Sequence, residues 1–209
     1  NRRAGTEDIA GAAGLAFALK YREISGACLT FMGDGAVNQG AVHETFNLAS
    51  LWNLPVVFVI ENNGYSMGTS QRRSSAGPGL AKRAEAYGME WDVCNGHELY
   101  DVREKADKML QRARQESRPS VIEIMTYRYR GHSMSDPAKY RTREEVEKVR
   151  AEQDPIEQVR VRLIQTKRAS EDALKKLDAE VRSVINEAAE FATHDPEPDP
   201  SELFTDVVR

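Results

Sequence analysis

Two short polar clusters hold the residue types best suited to chemistry. One is Gly33-Asp34-Gly35-Ala36 and the other Asn62-Asn63-Gly64-Tyr65, with twenty-six residues between Gly35 and Asn62. Asp34 and Asn63 offer one charged and one neutral hard oxygen. Magnesium prefers such a mixture, and its remaining octahedral positions can go to phosphate oxygens, water or a backbone carbonyl. Gly33 and Gly35 lack side chains, so a diphosphate can approach the backbone there. A helix following the turn would aim free amides and its positive dipole end at that anion. Together the clusters read as a magnesium–diphosphate clamp. Each triplet alone is an ordinary turn, the first with an Asp that caps a helix; the pairing, each after a strand-like run, changes the reading.

Those runs belong to the elements that must position the cluster. Residues 27–32 and 55–60 are apolar, and the second run is continuously so, as suits a parallel strand covered on both faces. Between them Phe46, Leu48, Ala49, Leu51 and Trp52 form the stripe of a helix over residues 39–53. A strand–helix–parallel strand crossover brings both strand ends to one edge of the sheet. Asp34 and Asn63 are therefore expected side by side, where open parallel sheets bind ligands.

The rest of the chain repeats this alternation. Residues 7–23 form a helix with Thr6 as its cap. Residues 64–88 are glycine-rich and carry Arg72, Arg73, Lys82 and Arg83; they read as a loop leading to a short helix, the basic groups solvated. A strand over residues 89–94 turns at Asn95-Gly96 into a helix over 98–115, striped by Leu99, Val102, Ala106, Met109 and Leu110. Residues 121–125 are a β-branched strand. The expected class is α/β, a mainly parallel sheet flanked by helices. Helices then begin at Thr142, at Asp154-Pro155 and at Ser170. The last has the stripe Leu174, Leu177, Val181, Val184, Ile185, Ala188 and Phe191, expected to pack on the body of the protein. Residues 142–193 are thus a helical extension and 194–209 a tail, within a single domain spanning 1–209.

A second reactive region follows the last strand: Arg128, Arg130, His132, Ser133, Ser135, Asp136, Tyr140, Arg141 and Arg143. Arg128 has the planar donor fork that suits a diphosphate. His132 can contact the same anion or carry a proton. His43 and Glu44 are adjacent on a helix, point to different sides and suit a surface or interface role.

Composition limits the partners. Hydrophobic residues make up 40% and charged residues 30% of 209, and the formal net charge is −4. This balance describes a globular protein with no electrostatic pull toward nucleic acid or an anionic membrane. No apolar run reaches the length of a membrane span. Cys28 and Cys94 fall in strand-like segments, so inert buried thiols in a reducing compartment are expected. Asn1-Arg2-Arg3 leads into polar residues, not a secretory core. Without an initiator Met, and opening just before a helix, the chain reads as a fragment or a trimmed product.

The spacing of Gly-Asp-Gly and Asn-Asn resembles the thiamine diphosphate-binding motif. Residues 33–70, GDGAVNQGAVHETFNLASLWNLPVVFVIENNGYSMGTS, are similar to the alpha subunit of the decarboxylating first component of 2-oxo acid dehydrogenases. Residues 126–150, TYRYRGHSMSDPAKYRTREEVEKVR, with Asp154-Pro155-Ile156 after them, narrow the resemblance to pyruvate dehydrogenases. It covers about residues 14–198. It implies a thiamine diphosphate-binding fold and two cofactors, thiamine diphosphate and Mg2+. Asp34, Asn63 and the Tyr65 carbonyl would hold the metal, Gly35 and Ala36 would meet the diphosphate, and Arg128 and His132 would close over it, His132 as the catalytic group. The glutamate that activates the aminopyrimidine belongs in this family to a beta subunit. The resemblance therefore implies an assembly of two alpha and two beta chains, with pyruvate as substrate and the lipoyl domain of an acyltransferase as acceptor. It implies the bacterial cytoplasm, or the mitochondrial matrix in a eukaryote.

The sequence departs from that pattern in two places. The family's glycine-rich loop for the aminopyrimidine should fall near residues 3–6, but Arg3, Ala4, Gly5 and Thr6 do not match it, so no pyrimidine contact is assigned. Ser133 matches a serine phosphorylated in animal relatives, yet the run from Asp136 to Tyr140 is one residue shorter and lacks the next serine. Acetoin and branched-chain 2-oxo acid dehydrogenases remain open, as does a non-catalytic interaction subunit. A nucleotide-binding protein would need a different phosphate loop, since no Gly-Lys-Ser/Thr is present.

Overall fold

The computed structural model describes residues 6–77 and 79–205. The chain divides into two compact units, residues 1–158 and 159–209.

The first unit is built on four parallel strands: β1 (Cys28–Gly33), β2 (Val56–Asn62), β5 (Glu90–Asn95) and β6 (Ser120–Met125), in the order β1-β2-β6-β5. A two-residue hairpin, β3 (Tyr65–Ser66) with β4 (Thr69–Ser70), follows β2. The helices are α1 (Thr6–Tyr21), α2 (Gly40–Leu51), a single turn α3 (Gln71–Ser74), α4 (Leu99–Glu116) and α5 (Arg143–Gln153). Strand alternation sorts the side chains of β2 onto two faces. Val56, Phe58 and Ile60 join Ile9, Ala13 and Ala16 of α1 and Val42, Phe46 and Ala49 of α2. Val57 and Val59 join Met109 and Ala113 of α4 and Ile122 of β6. Both faces of β2 are covered, which accounts for its unbroken apolar run. The α/β class read from the sequence is the observed one.

Local differences have plain causes. The buried positions of α2 are Val42, Thr45, Phe46 and Ala49, spaced i, i+3, i+4, i+7, whereas Leu48, Leu51 and Trp52 lie exposed on the neighbouring face. Three of the five residues of the expected stripe therefore miss the core, because at 3.6 residues per turn they sit on a different side of the helix. The expected loop over 64–88 contains the β3–β4 hairpin, α3 and a 3₁₀ helix, Ala81–Tyr87. Of its basic residues Arg83 is half-buried and donates to the Val37 carbonyl (3.1 Å), while Arg72, Arg73 and Lys82 are exposed. Thr6, expected as a cap, is the first residue of α1. The altered loop expected at residues 3–6 lies outside the described residues but for Thr6. His43 meets the Tyr87 hydroxyl (2.9 Å), while Glu44 is exposed, so the two do divide between sides of α2.

The helices after residue 142 start where their caps predict. Thr142 accepts from the Glu145 amide (3.1 Å), Asp154 from the amides of Ile156 and Glu157 ahead of α6 (Pro155–Gln165), and Ser170 from Ala173 ahead of α7 (Glu171–His194). No residue of α7 is buried, and Leu177, Val181, Val184, Ile185 and Phe191 are exposed. The tail is not wholly irregular, since Asp199 caps a 3₁₀ turn over Pro200–Phe204. Both cysteines are free thiols, and burial pushes Cys94 up to about 11. Among the described residues no helix is long and apolar enough to cross a membrane.

Candidate functional site

Parallel pairing brings the ends of all four strands to one edge of the sheet. Gly33 of β1 is in register with Glu61 of β2, and Asn62 with Met125 of β6. Asp34 thus follows one strand directly beside Asn63, which follows the next. The Asp34 side chain is buried and accepts hydrogen bonds from its own amide and from the amide of Asn63. Burial raises its pKa above the usual carboxylate value. Those amides and the Arg128 guanidinium pull it back, and the nearby Glu123 carboxylate adds to the rise. Asp34 is therefore no helix cap: Gly35 precedes a 3₁₀ turn, Ala36–Asn38, that separates Asp34 from α2 and has no side-chain cap. The helix expected over residues 39–53 spans Gly40–Leu51, so the 3₁₀ turn lies between its first amides and Asp34.

A cavity of about 240 Å³ opens at this edge, lined by Phe31, Met32, Gly33, Glu61, Asn63, Thr126, Tyr127 and Arg128. Gly35 has no room for a side chain, because a Cβ there would run into the Ser66 side chain. The glycine turn of β1 and the hairpin after β2 are thus pressed together, and this contact demands glycine at position 35 whether or not an anion approaches.

The Asn62-Asn63 turn is held from several sides. Asn62, buried, accepts from the Gly64 amide (2.9 Å) and donates to Gln71 Oε1 (3.0 Å) and Glu123 Oε1 (2.6 Å). Gly64 has φ +80°, which a side chain would strain. The Asn63 side-chain oxygen faces the Tyr65 amide at 3.3 Å, and its carbonyl accepts from Arg141 (2.7 Å). The Arg141 guanidinium, almost fully buried, lies 3.7 Å from the centre of the Tyr127 ring and 4.9 Å from that of Tyr65, and also pairs with Glu145 (3.0 Å). Cation–π stacking with a carboxylate at one end locks its fork onto the turn.

The loop after β6 is organised differently. Arg128 donates to the Met67 carbonyl and to the Tyr140 hydroxyl, each at 2.8 Å. Tyr140 donates to Asp136 (2.7 Å), and Asp136 also accepts from the amides of His132 (2.7 Å) and Ala138 (2.9 Å). These donors hold the Asp136 carboxyl down to about 2. The Tyr140 ring stacks on Tyr65, centroids 4.7 Å apart. Arg128 Nε is buried with no hydrogen-bond partner, and Arg128 is among the residues that line the cavity.

The fold therefore brings Asp34, Asn63 and Arg128 to one place, with Gly35, Ala36 and Tyr65 in the adjoining turns. His132 is exposed on the outer part of its loop and does not line the cavity. Glu123, Asn62, Tyr140 and Arg141 are structurally central without standing in the motif residues expected to bind. The signal for Glu123 was a lone acid in the apolar strand Ser120–Met125.

A parallel sheet with a buried carboxylate and a cavity at its carboxyl edge defines an α/β ligand-binding protein. The family model of the dehydrogenase E1 component matches residues 1–201, and the chain belongs to that family. It is 49% identical over 195 residues to the pyruvate dehydrogenase E1 component subunit alpha of Rhizobium meliloti, covering 93% of this chain and 56% of the relative. The corresponding subunit of Rickettsia bellii is 47% identical, with 93% and 59% covered. A human testis-specific mitochondrial form is also 47% identical, with 91% and 49% covered. The chain thus spans little more than half the length of the first two relatives.

Proposed function

We propose that this chain carries the diphosphate-binding half of a pyruvate dehydrogenase E1 active site, acting with a beta subunit. The observation that carries the reading is Asp34: a buried carboxylate at the sheet's carboxyl edge beside the Asn63 amide, whose pKa is raised by burial although Arg128 lowers it in part. A divalent cation would supply a full positive charge beside it. The donors around it are oxygens of the kind magnesium takes: the Asp34 carboxylate, the Asn63 side-chain amide and the Tyr65 carbonyl. The Arg128 side chain and the side-chain-free Gly33 in the cavity wall suit an anion beside that metal.

Thiamine diphosphate, when bound, supplies the electron sink for decarboxylating a 2-oxo acid. This chain's residues anchor and orient its diphosphate. Asp34, Asn63 and the Tyr65 carbonyl hold magnesium, the Gly35 and Ala36 backbone faces the phosphates, and Arg128 balances their charge. His132, exposed and mounted on a loop pinned by Asp136, is placed to move a proton during acetyl transfer to a lipoyl group. The catalytic glutamate comes from the beta subunit, in an assembly of two alpha and two beta chains. Pyruvate is favoured by the names of the relatives, which include bacterial subunits and a mitochondrial form, so the chain works in the cytoplasm of a bacterium or the mitochondrial matrix of a eukaryote.

Calorimetric titration of thiamine diphosphate with magnesium, into the chain alone and mixed with its beta subunit, tests the proposal. Saturable binding in the mixture, followed by carbon dioxide release from pyruvate, is expected. Absence of binding in a confirmed assembly overturns it.

A further inference from the structure

Glu123 lies outside every motif, yet it is a buried acid in the middle of the sheet, 3% exposed. By alternation it shares a face with Val121, and it is in register with Ile60 of β2. Asn62, two residues beyond Ile60, points to the same side. One carboxylate oxygen accepts from Asn62 Nδ2 (2.6 Å). The other accepts from the amides of Leu80 (3.0 Å) and Ala81 (2.9 Å). Glu123 therefore ties three pieces of chain together: its own strand, the Asn62-Asn63 turn, and the start of the 3₁₀ helix Ala81–Tyr87. No cation is among these partners.

We infer that Glu123 is a positioning residue for the cation site. It fixes the amide of Asn62 so that the turn presents Asn63 to Asp34. The inference rests on the proposed magnesium–diphosphate reading. Its chemistry is specific to a carboxylate. All three donors are N–H groups on two sides of the side chain, and glutamine offers an acceptor on one side only. In Glu123→Gln the new amide must either face Asn62 Nδ2, donor against donor, or turn a donor toward Leu80 and Ala81. Flipping Asn62 relieves the first clash but takes the acceptor away from the Gly64 amide. Asn62→Asp in the same molecule resolves it: the new carboxylate accepts from the introduced glutamine amide and from Gly64, Gln71 turns its amide to donate, and the total charge is conserved.

The test compares the wild type, E123Q and the N62D/E123Q double variant as full chains assembled with the beta subunit. The magnesium concentration needed for thiamine diphosphate binding is read by calorimetry, and amide hydrogen exchange at Gly64 and Ala81 is read without ligand. E123Q should raise the magnesium requirement roughly tenfold, the scale on which outer-shell partners of a metal act, and should speed exchange at one or both amides. The double variant should restore both readings to within about threefold of wild type, by the same reasoning. Unchanged exchange and unchanged magnesium dependence in E123Q overturn the inference. So does a double variant that remains as impaired as E123Q although folded, because it restores the donor–acceptor pairs that E123Q breaks. Failure of the wild type to bind cofactor would sink the proposed function and the ligand part of this inference together; normal binding by wild type and E123Q alike sinks the inference alone.

Discussion

The turns at the ends of β1 and β2 and the loop after β6 both face the same sheet edge, but they are held by different means. Asp34, Asn62 and Glu123 are buried, and their partners are mostly backbone amides of the turns beside the strand ends and of residues 80 and 81. The segment from Arg128 to Arg141 is half-exposed or exposed, and it is held by a relay of side chains, Arg128 to Tyr140 to Asp136, that ends on the His132 amide. A buried carboxylate held by amides costs stability until a cation arrives, whereas an exposed carboxylate held by donors keeps its loop in place without one. The first arrangement suits a binding site and the second suits a loop that can be released.

Asp34→Asn should separate the two most sharply. Because burial raises the folded pKa of Asp34 above its ordinary value, ionising it works against folding as pH rises. The variant should therefore keep or gain thermal stability in the absence of metal, while losing more than ~100-fold in magnesium-dependent cofactor affinity, beyond the loss typical of an outer-shell partner. A melting curve and a calorimetric titration on the same sample decide it. A marked drop in metal-free stability would mean that Asp34 is a structural group like Asp136.

Tyr140→Phe removes the hydroxyl at the middle of the relay. Exchange at the His132 and Ala138 amides should quicken roughly tenfold, as losing one charge-assisted bond implies, with the sheet core unaffected. The relay should also depend on pH in one direction. The Asp136 pKa is lowered, from 3.8 to about 2. Its contribution is therefore complete above 3.8 and is lost as pH falls through about 2. Limited proteolysis after Arg130 and Lys139 along a pH series, using an acid-tolerant protease, should show the loop intact down to pH near the upper value. Opening already at pH 6 would place control of the loop elsewhere.

The smallest structural effect is expected for His132→Ala. Only its backbone amide is tied to the loop, through Asp136, and the residue is exposed. Fold and cofactor affinity should stay within about twofold of wild type, while acetyl transfer to a lipoyl domain falls by about 100-fold, the lower end for loss of a general acid–base. Unchanged turnover with normal cofactor affinity removes His132 from the chemistry.

Much of the frame was legible in the chain because it depends on local rules. The continuous run over Val56–Asn62 is a strand covered on both faces, and Thr142, Asp154 and Ser170 cap the helices they announce. Amphipathic stripes were legible only in part: the α4 stripe reaches the core through Met109, while Leu48 and Leu51 of the expected α2 stripe lie exposed. Periodicity says which residues share a face, not which face is covered.

By itself the sequence determined the parallel α/β alternation and, through the spacing of Gly33-Asp34-Gly35 and Asn62-Asn63, the meeting of two strand ends. Both follow from short-range patterns and from the rule that crossover connections return strands in parallel. The tertiary structure alone decided that Ser66 fills the space a side chain at position 35 would need. It also decided that Arg141 seats on Asn63 between two tyrosine rings, and that Glu123 ties the asparagine turn to residues 80 and 81. These contacts join residues 14 to 78 positions apart. No local pattern encodes them, because they exist only once the sheet has set its register and buried a charge where three amides can reach it.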